Sequence, residues 1–369
     1  MLMQGLNVLS MVTLASLLPT LAFADQPVAE DCTHSISKLE DVADALRCKH
    51  ITLGGFSVTT RQTLNLELRP GATVEMTGDL NFDNYKGQST PMIILKGANI
   101  TFNGNNHNIR CNGDKYWPKT TGKLTFAVPA PVMSVFASGI MQNFTVFNSP
   151  RQAFFIGNIG RLKIKNVNVD NTAGKGRAAN TDGFDIKAKG PLEISGCTID
   201  TQDDCFAISG GNDTSIHDNK CVCTHGISIG SVQTGYVIRN TYIGFNTLQS
   251  PVNALRIKAM LNAKDGIVEN VTYEGNIAFN VSENGFMLVQ NYTNDNKHGQ
   301  RPTNGVLINK VHFISENTLY LDSGARPLNV VCAPEACPNE PMGLENVKFI
   351  GGGASVVVNA PVSSSNLLS

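Results

Sequence analysis

Charge is scarce in this 369-residue sequence: Asp, Glu, Lys and Arg together make up only 16%. The 29 Lys and Arg nearly balance the 30 Asp and Glu, and no basic stretch stands out. That excludes a generic nucleic-acid binder, which would carry a basic face. Convincing helical periodicity is almost absent. Beyond residue 24 no apolar run approaches the ~20 residues that span a membrane. Cys-x-x-Cys is missing, and Cys221-Val222-Cys223-Thr224-His225 has no further ligands at zinc-finger spacing, so a zinc finger is not expected. What the chain does have is glycine, at 34, with asparagine visibly common. That composition suits many short strands and tight turns.

Residues 2–24 are apolar and end in Ala22-Phe23-Ala24 before Asp25, an A-x-A cleavage pattern. A signal peptide over 1–24 is expected, although Lys and Arg are missing from its start. The mature chain, 25–369, would then be secreted and extracellular. Nine cysteines in such a chain imply disulfides. Cys32 and Cys48 flank a helix-like stretch and could close it. Cys332 and Cys337 could close a small loop, and Cys205 and Cys221 sit on consecutive repeats. Cys111, Cys197 and Cys223 remain, so at least one thiol is unpaired. Asn-x-Ser/Thr sequons at Asn99, Asn143, Asn212, Asn270, Asn280 and Asn291 fit surface loops of an extracellular protein.

One helix is predicted. Ser37-Lys38-Leu39-Glu40 reads as a capping box that opens an apolar face of Leu39, Val42, Ala43, Ala45 and Leu46. A single short helix before a strand-rich body would cap the open end of a stacked structure. From about residue 50 the segments Leu162–Val169, Leu192–Ile199, Tyr236–Ile243 and Ile267–Tyr273 align as repeats. Each leads to a second apolar segment. Stacking these puts Phe184, Phe206, Ile227, Leu255 and Phe286 in one inward column, and Ile186, Ile208, Ile229, Ile257 and Leu288 in another. Between them Asp185, Ala207, Ser228, Arg256 and Met287 point outward. The expectation is an all-β, single-domain parallel β-helix from about 50 to 360.

Polar groups recur with the same period. Asp182 to Asp204 is 22 residues, and Asp204 to His225 is 21. Asp203 stands beside Asp204, and Arg256 and Lys258 follow one coil later. Coils about 4.8 Å apart would gather three carboxylates, an imidazole and two cations on one face. Close carboxylates repel, so at least one stays protonated while another is ionised. Inverting glycoside hydrolysis needs that acid and base. Arg256 and Lys258 could hold an anionic sugar by its carboxylate.

Asn180-Thr181-Asp182, Gln202-Asp203-Asp204-Cys205, His225-Gly226 and Arg256-Ile257-Lys258 resemble, in order and spacing, the four signatures of the polygalacturonases, a glycoside hydrolase family. The three cysteine pairs also resemble those of fungal endo-acting members. The resemblance implies a right-handed parallel β-helix that hydrolyses α-1,4-linked galacturonic acid in pectin with inversion. By position, Asp203 would be the general acid, and Asp182 and Asp204 would hold and activate water. His225 would help keep Asp203 protonated, and Arg256 and Lys258 would bind the substrate carboxylate. Asn180 would orient the loop or contact a sugar, and Tyr292 would contact substrate. The resemblance implies no metal or cofactor, a monomer, and pectin or polygalacturonate as substrate, with plant inhibitor proteins as partners; no membrane or nucleic acid is expected.

Two positions depart from the family pattern. Thr201 replaces an Asn, and Cys223-Thr224 replace two glycines. Both lie beside the cleft, so subsite shape could differ, which motivates an exo-acting or xylogalacturonan-cleaving alternative. A pectate lyase would instead bind Ca²⁺ through Asp182, Asp203 and Asp204, with no part for His225. A non-enzymatic pectin-binding solenoid would not need every charged position filled.

Overall fold

The computed structural model describes residues 31–119, 124, 126–294, 300–337, 340–360 and 362; the expected signal peptide over 1–24 lies outside them. Among the described residues, 27 strands join one sheet network, and every pairing is parallel. The fold is the all-β, right-handed parallel β-helix expected above. No helix among the described residues is long and apolar enough to cross a membrane.

Two inward columns run through the molecule. Phe154, Phe184, Phe206, Ile227, Leu255, Phe286 and Leu328 pair in register from coil to coil. Ile156, Ile186, Ile208, Ile229, Ile257, Leu288 and Val330 do the same. All fourteen are fully buried. Strand alternation forces this, because a side chain between two inward neighbours must point out.

The structure corrects three readings of the sequence. The β-helix does not start near residue 50: Thr33–Ile36 already pairs with His50–Leu53. The helix interrupts the first coil and does not precede it. It is also shorter than expected, a 3₁₀ turn Leu39–Asp41 followed by Val42–Ala45. Its capping carboxylate is Asp41, not Glu40: Asp41 Oδ2 accepts from Ser37 N at 2.9 Å, Ser37 Oγ at 2.8 Å and Lys38 N at 3.1 Å. Leu39, Val42 and Leu46 still pack on the core as a cap. Finally, Leu192 pairs with Thr214, and Thr214 with Thr241, so Leu192 does not lie opposite Tyr236. The strand Phe206–His217 runs through a corner without a break, which hides one repeat from inspection of the sequence.

Asparagine has a structural use beyond turns. Asn219, Asn246, Asn276 and Asn317 stack in a buried ladder, each Nδ2 donating to the next Oδ1 at 3.0 Å. Each amide also satisfies backbone groups at its corner, as when Asn246 Nδ2 donates to Ile216 O at 3.0 Å. Other asparagines, including Asn143, Asn166, Asn240 and Asn270, adopt positive φ at corners where a side chain that bonds locally tolerates the left-handed region.

Three disulfides join Cys32 to Cys48, Cys205 to Cys221, and Cys332 to Cys337. Cys111, Cys197 and Cys223 are unpaired and buried.

Candidate active site

The site is built from the turns that precede the first inward column. Because Phe184, Phe206 and Ile227 are stacked, the residues just before them, Asp182, Asp204 and His225, arrive on successive coils. Backbone bonds lock the turns together: Gly183 N donates to Asp204 O at 2.9 Å, and His225 N to Asp203 O at 3.2 Å. The Cys205–Cys221 disulfide anchors the residue next to Asp204.

Seven of the eight residues expected at the site join in two linked groups, and Asp182 stands near enough to feel the charges of Asp203 and Asp204. In the first, Asp203 Oδ1 accepts from Asp204 N at 2.9 Å and shares a hydrogen bond with His225 Nδ1 at 2.7 Å. Asn180 Nδ2 donates to Asp203 Oδ2 at 3.2 Å. In the second group Asp204 Oδ1 accepts from Arg256 Nη2 and Ser228 Oγ, both at 2.7 Å. Its Oδ2 accepts from Lys258 Nζ at 2.9 Å. Arg256 Nε donates to Ser228 Oγ at 2.5 Å. Tyr292 closes this end, its ring centroid 5.4 Å from Lys258 Nζ.

The carboxyl groups are driven apart in acidity. Burial would raise Asp204, but Arg256 and Lys258 outweigh it and hold the group well below the ordinary carboxylate range. Asp182 is pushed well above that range, first by burial and then by the charges of Asp203, Asp185 and Asp204. Asp185 is raised to about 7 by burial and by Asp204 and Asp203, with Lys258 and Arg151 opposing. One ionised carboxylate thus stands among groups that tend to hold a proton.

Two members of the site were not expected. Strand alternation placed Asp185 and Ser228 outward, which reads as solvated. Instead Ser228 is fully buried, and Asp185 is half-buried among the other acids. Their signal was the register they share with Arg256 in the outward column. At the two departures from the family pattern, Thr201 and Cys223 are buried, each 4% exposed, while Thr224 is half-buried beside His225. Thr201 Oγ1 donates to Thr181 O and lies 3.0 Å from Thr181 Oγ1, propping the Asp182 turn.

Asp203, Asp204 and His225 offer ligand atoms within 4.8 Å of one another. Asp204 is a poor metal ligand here, because both of its oxygens already face cations. Cys205, Cys221 and Cys223 also cluster, but two of them are joined in a disulfide.

A model of glycosyl hydrolases family 28 matches residues 47–365. A polygalacturonase of Cochliobolus carbonum is 32% identical, over 96% of this chain and 98% of its own. Endopolygalacturonase B of Emericella nidulans is 30% identical over 88% of each. The solved structure of endopolygalacturonase I from Stereum purpureum, complexed with two galacturonate, superposes with a TM-score of 0.81 at 32% identity. It covers 88% of this chain and 96% of that one.

Proposed function

The chain belongs to glycosyl hydrolases family 28, and from that premise we propose that it is an endo-acting hydrolase of the α-1,4-galacturonosyl linkages of pectin, working with inversion. The observation that carries the reading is the split between carboxyl groups on adjacent coils. Asp204 is fixed as a carboxylate by two buried cations, while Asp182 is held toward its protonated form. Groups pushed apart in this way supply the acid and the base that inverting hydrolysis requires.

Asp203 is the proton donor to the glycosidic oxygen. Its oxygens are held by His225 and Asn180, so its direction is fixed, and it lacks the Arg and Lys contacts that keep Asp204 ionised. In the empty cleft burial and like charge favour the proton on Asp182. The acids titrate as a set, and the proton that Asp203 delivers is drawn from that set. Asp204 and Asp182 then hold the water that attacks the opposite face of the sugar. His225 is a positioning residue for Asp203, with its Nδ1 in a 2.7 Å hydrogen bond to Oδ1. Arg256 and Lys258 have two tasks: they keep Asp204 ionised and face the carboxylate of the incoming uronate. Tyr292 covers Lys258 at the rim.

The substrate is polygalacturonate, the chain acts as a monomer, and plant inhibitor proteins are its expected partners. Three disulfides support a secreted, extracellular location. The test follows viscosity and reducing ends together on polygalacturonic acid at about pH 5, where a protonated acid is populated. A fast fall in viscosity with few bonds cut and a spread of saturated oligomers supports endo-hydrolysis. Early release of monomer alone would move the assignment to an exo-acting enzyme, and cleavage only of substituted galacturonan to that branch. An unsaturated product abolished by a chelator would make it a lyase.

A further inference from the structure

Arg256 and Lys258 have their charge met inside the cleft by Asp204, and their side chains are 5% and 7% exposed. Another cation stands at the opposite end of the acidic set. Arg151 lies in the turn one coil before Asp182, where Ala153 N donates to Asp182 O at 2.9 Å and Phe154 pairs with Phe184. It is exposed. The turn that carries it stacks on the Asp182 turn, before the inward column, and its positive charge is felt by Asp185. Among the described residues no carboxylate forms an ion pair with it. Lys187, an exposed cation two residues beyond Asp185, is engaged over the Tyr236 ring at 4.3 Å.

The backbone that carries Arg151 is fixed. Ser149 N donates to Asn171 Oδ1 at 2.8 Å, and Asn171 Nδ2 to Ser149 Oγ at 2.7 Å. Trp117 Nε1 donates to Pro150 O at 3.2 Å. An exposed guanidinium on a rigid turn, beside a row of acids yet paired with none, is set to receive an anion from outside. Arginine suits a carboxylate because its fork can donate two parallel hydrogen bonds.

We propose that Arg151 binds the carboxylate of a uronate residue on the N-terminal side of the scissile bond, two coils or about 10 Å from Asp203. The proposal rests on the galacturonan reading above. The sugar chain then lies along the coil stack with a cation at each end of the carboxylate set. A neutral methyl ester at the Arg151 position loses the charged contact, so Arg151 makes the enzyme selective for a free acid at that unit.

The test separates binding from cleavage. Galacturonate oligomers, free and methyl-esterified, are titrated by calorimetry into the Asp203→Asn protein with and without Arg151→Gln. Polygalacturonate cleavage by the unmodified enzyme is followed in parallel. Arg151→Gln is expected to weaken binding of the free oligomer about tenfold and to shrink the preference for free over esterified oligomer by a similar factor. Arg151→Lys should restore part of both. In the active enzyme KM should rise while kcat stays within about twofold. Unchanged oligomer binding in Arg151→Gln overturns the assignment even if the enzyme cleaves normally. Arg151-dependent binding by a protein that cannot cleave polygalacturonate supports the carboxylate site and overturns the hydrolase reading alone.

Discussion

Replacing Asp204 and Asp182 by their neutral isostere should abolish activity in both cases and move stability in opposite ways. Asp204→Asn leaves Arg256 and Lys258 buried without their anion. Removing one partner of a buried pair costs about 3–5 kcal/mol, mostly from the charge left uncompensated. The two pairs share one carboxylate, so the cost is not doubled. At about 2 °C per kcal/mol for a long chain, the midpoint should fall by about 6–10 °C. Asp182 is the reverse case. Its folded acidity is weakened, so its contribution to stability is complete below the unfolded pKa and is lost as pH rises through the folded value. Asp182→Asn removes a buried like charge and should leave the midpoint unchanged or higher at about pH 6, where the unfolded chain would be ionised. The assay is thermal unfolding of the three proteins at one scan rate, with reducing-end release measured beside it. A loss of stability in Asp182→Asn equal to that in Asp204→Asn would refute the charge assignment, whatever the activities show.

Asp185 titrates at about 7, so above that pH a further negative charge stands beside the acids and the anionic substrate. Activity should fall as pH rises through this range, and Asp185→Asn should keep a larger fraction of its own optimum rate at about pH 8 than the unmodified enzyme; superimposable pH profiles would count against this. In the thiol assay, Cys111, Cys197 and Cys223 should be silent in the native protein, since burial pushes Cys197 and Cys223 up to about 12 and Cys111 further. Three thiols should react after denaturation without reductant. Asn246→Ala should cost about 3–5 kcal/mol in urea unfolding, because it removes the Asn246 side-chain partner of Asn219 N and Ile216 O and one of the two partners of Asn219 Nδ2 and of Asn276 Oδ1. Its KM should not change.

The apolar columns were legible because strand alternation leaves few choices: each Phe or Ile two residues from the next must share a face. The acids, His225, Arg256 and Lys258 were legible because the same register brings them onto consecutive coils. What escaped was polar and non-periodic. Nothing local in Asn219 or Asn276 distinguishes a buried ladder from a solvated turn, since the partner is a full coil away. Asp185 and Ser228 were assigned to solvent because alternation gives the direction of a side chain but not what covers it. Asp41 displaced Glu40 in the cap because the N-cap is Lys38 and not Ser37, so the residue three positions on is Asp41. Thr33–Ile36 is too short to announce itself without its partner strand.

The coil stack also governs how such a protein can grow. A whole coil added before Arg151 or after Tyr292 would lengthen the molecule and leave every distance in the site intact. One coil added between Asp204 and Arg256 would separate their elements by a further ~4.8 Å and break the contact, now 2.7 Å, that keeps the carboxylate ionised. The interval from Asp204 to Lys258 is therefore a fixed count of turns, while the ends can change length without touching the chemistry.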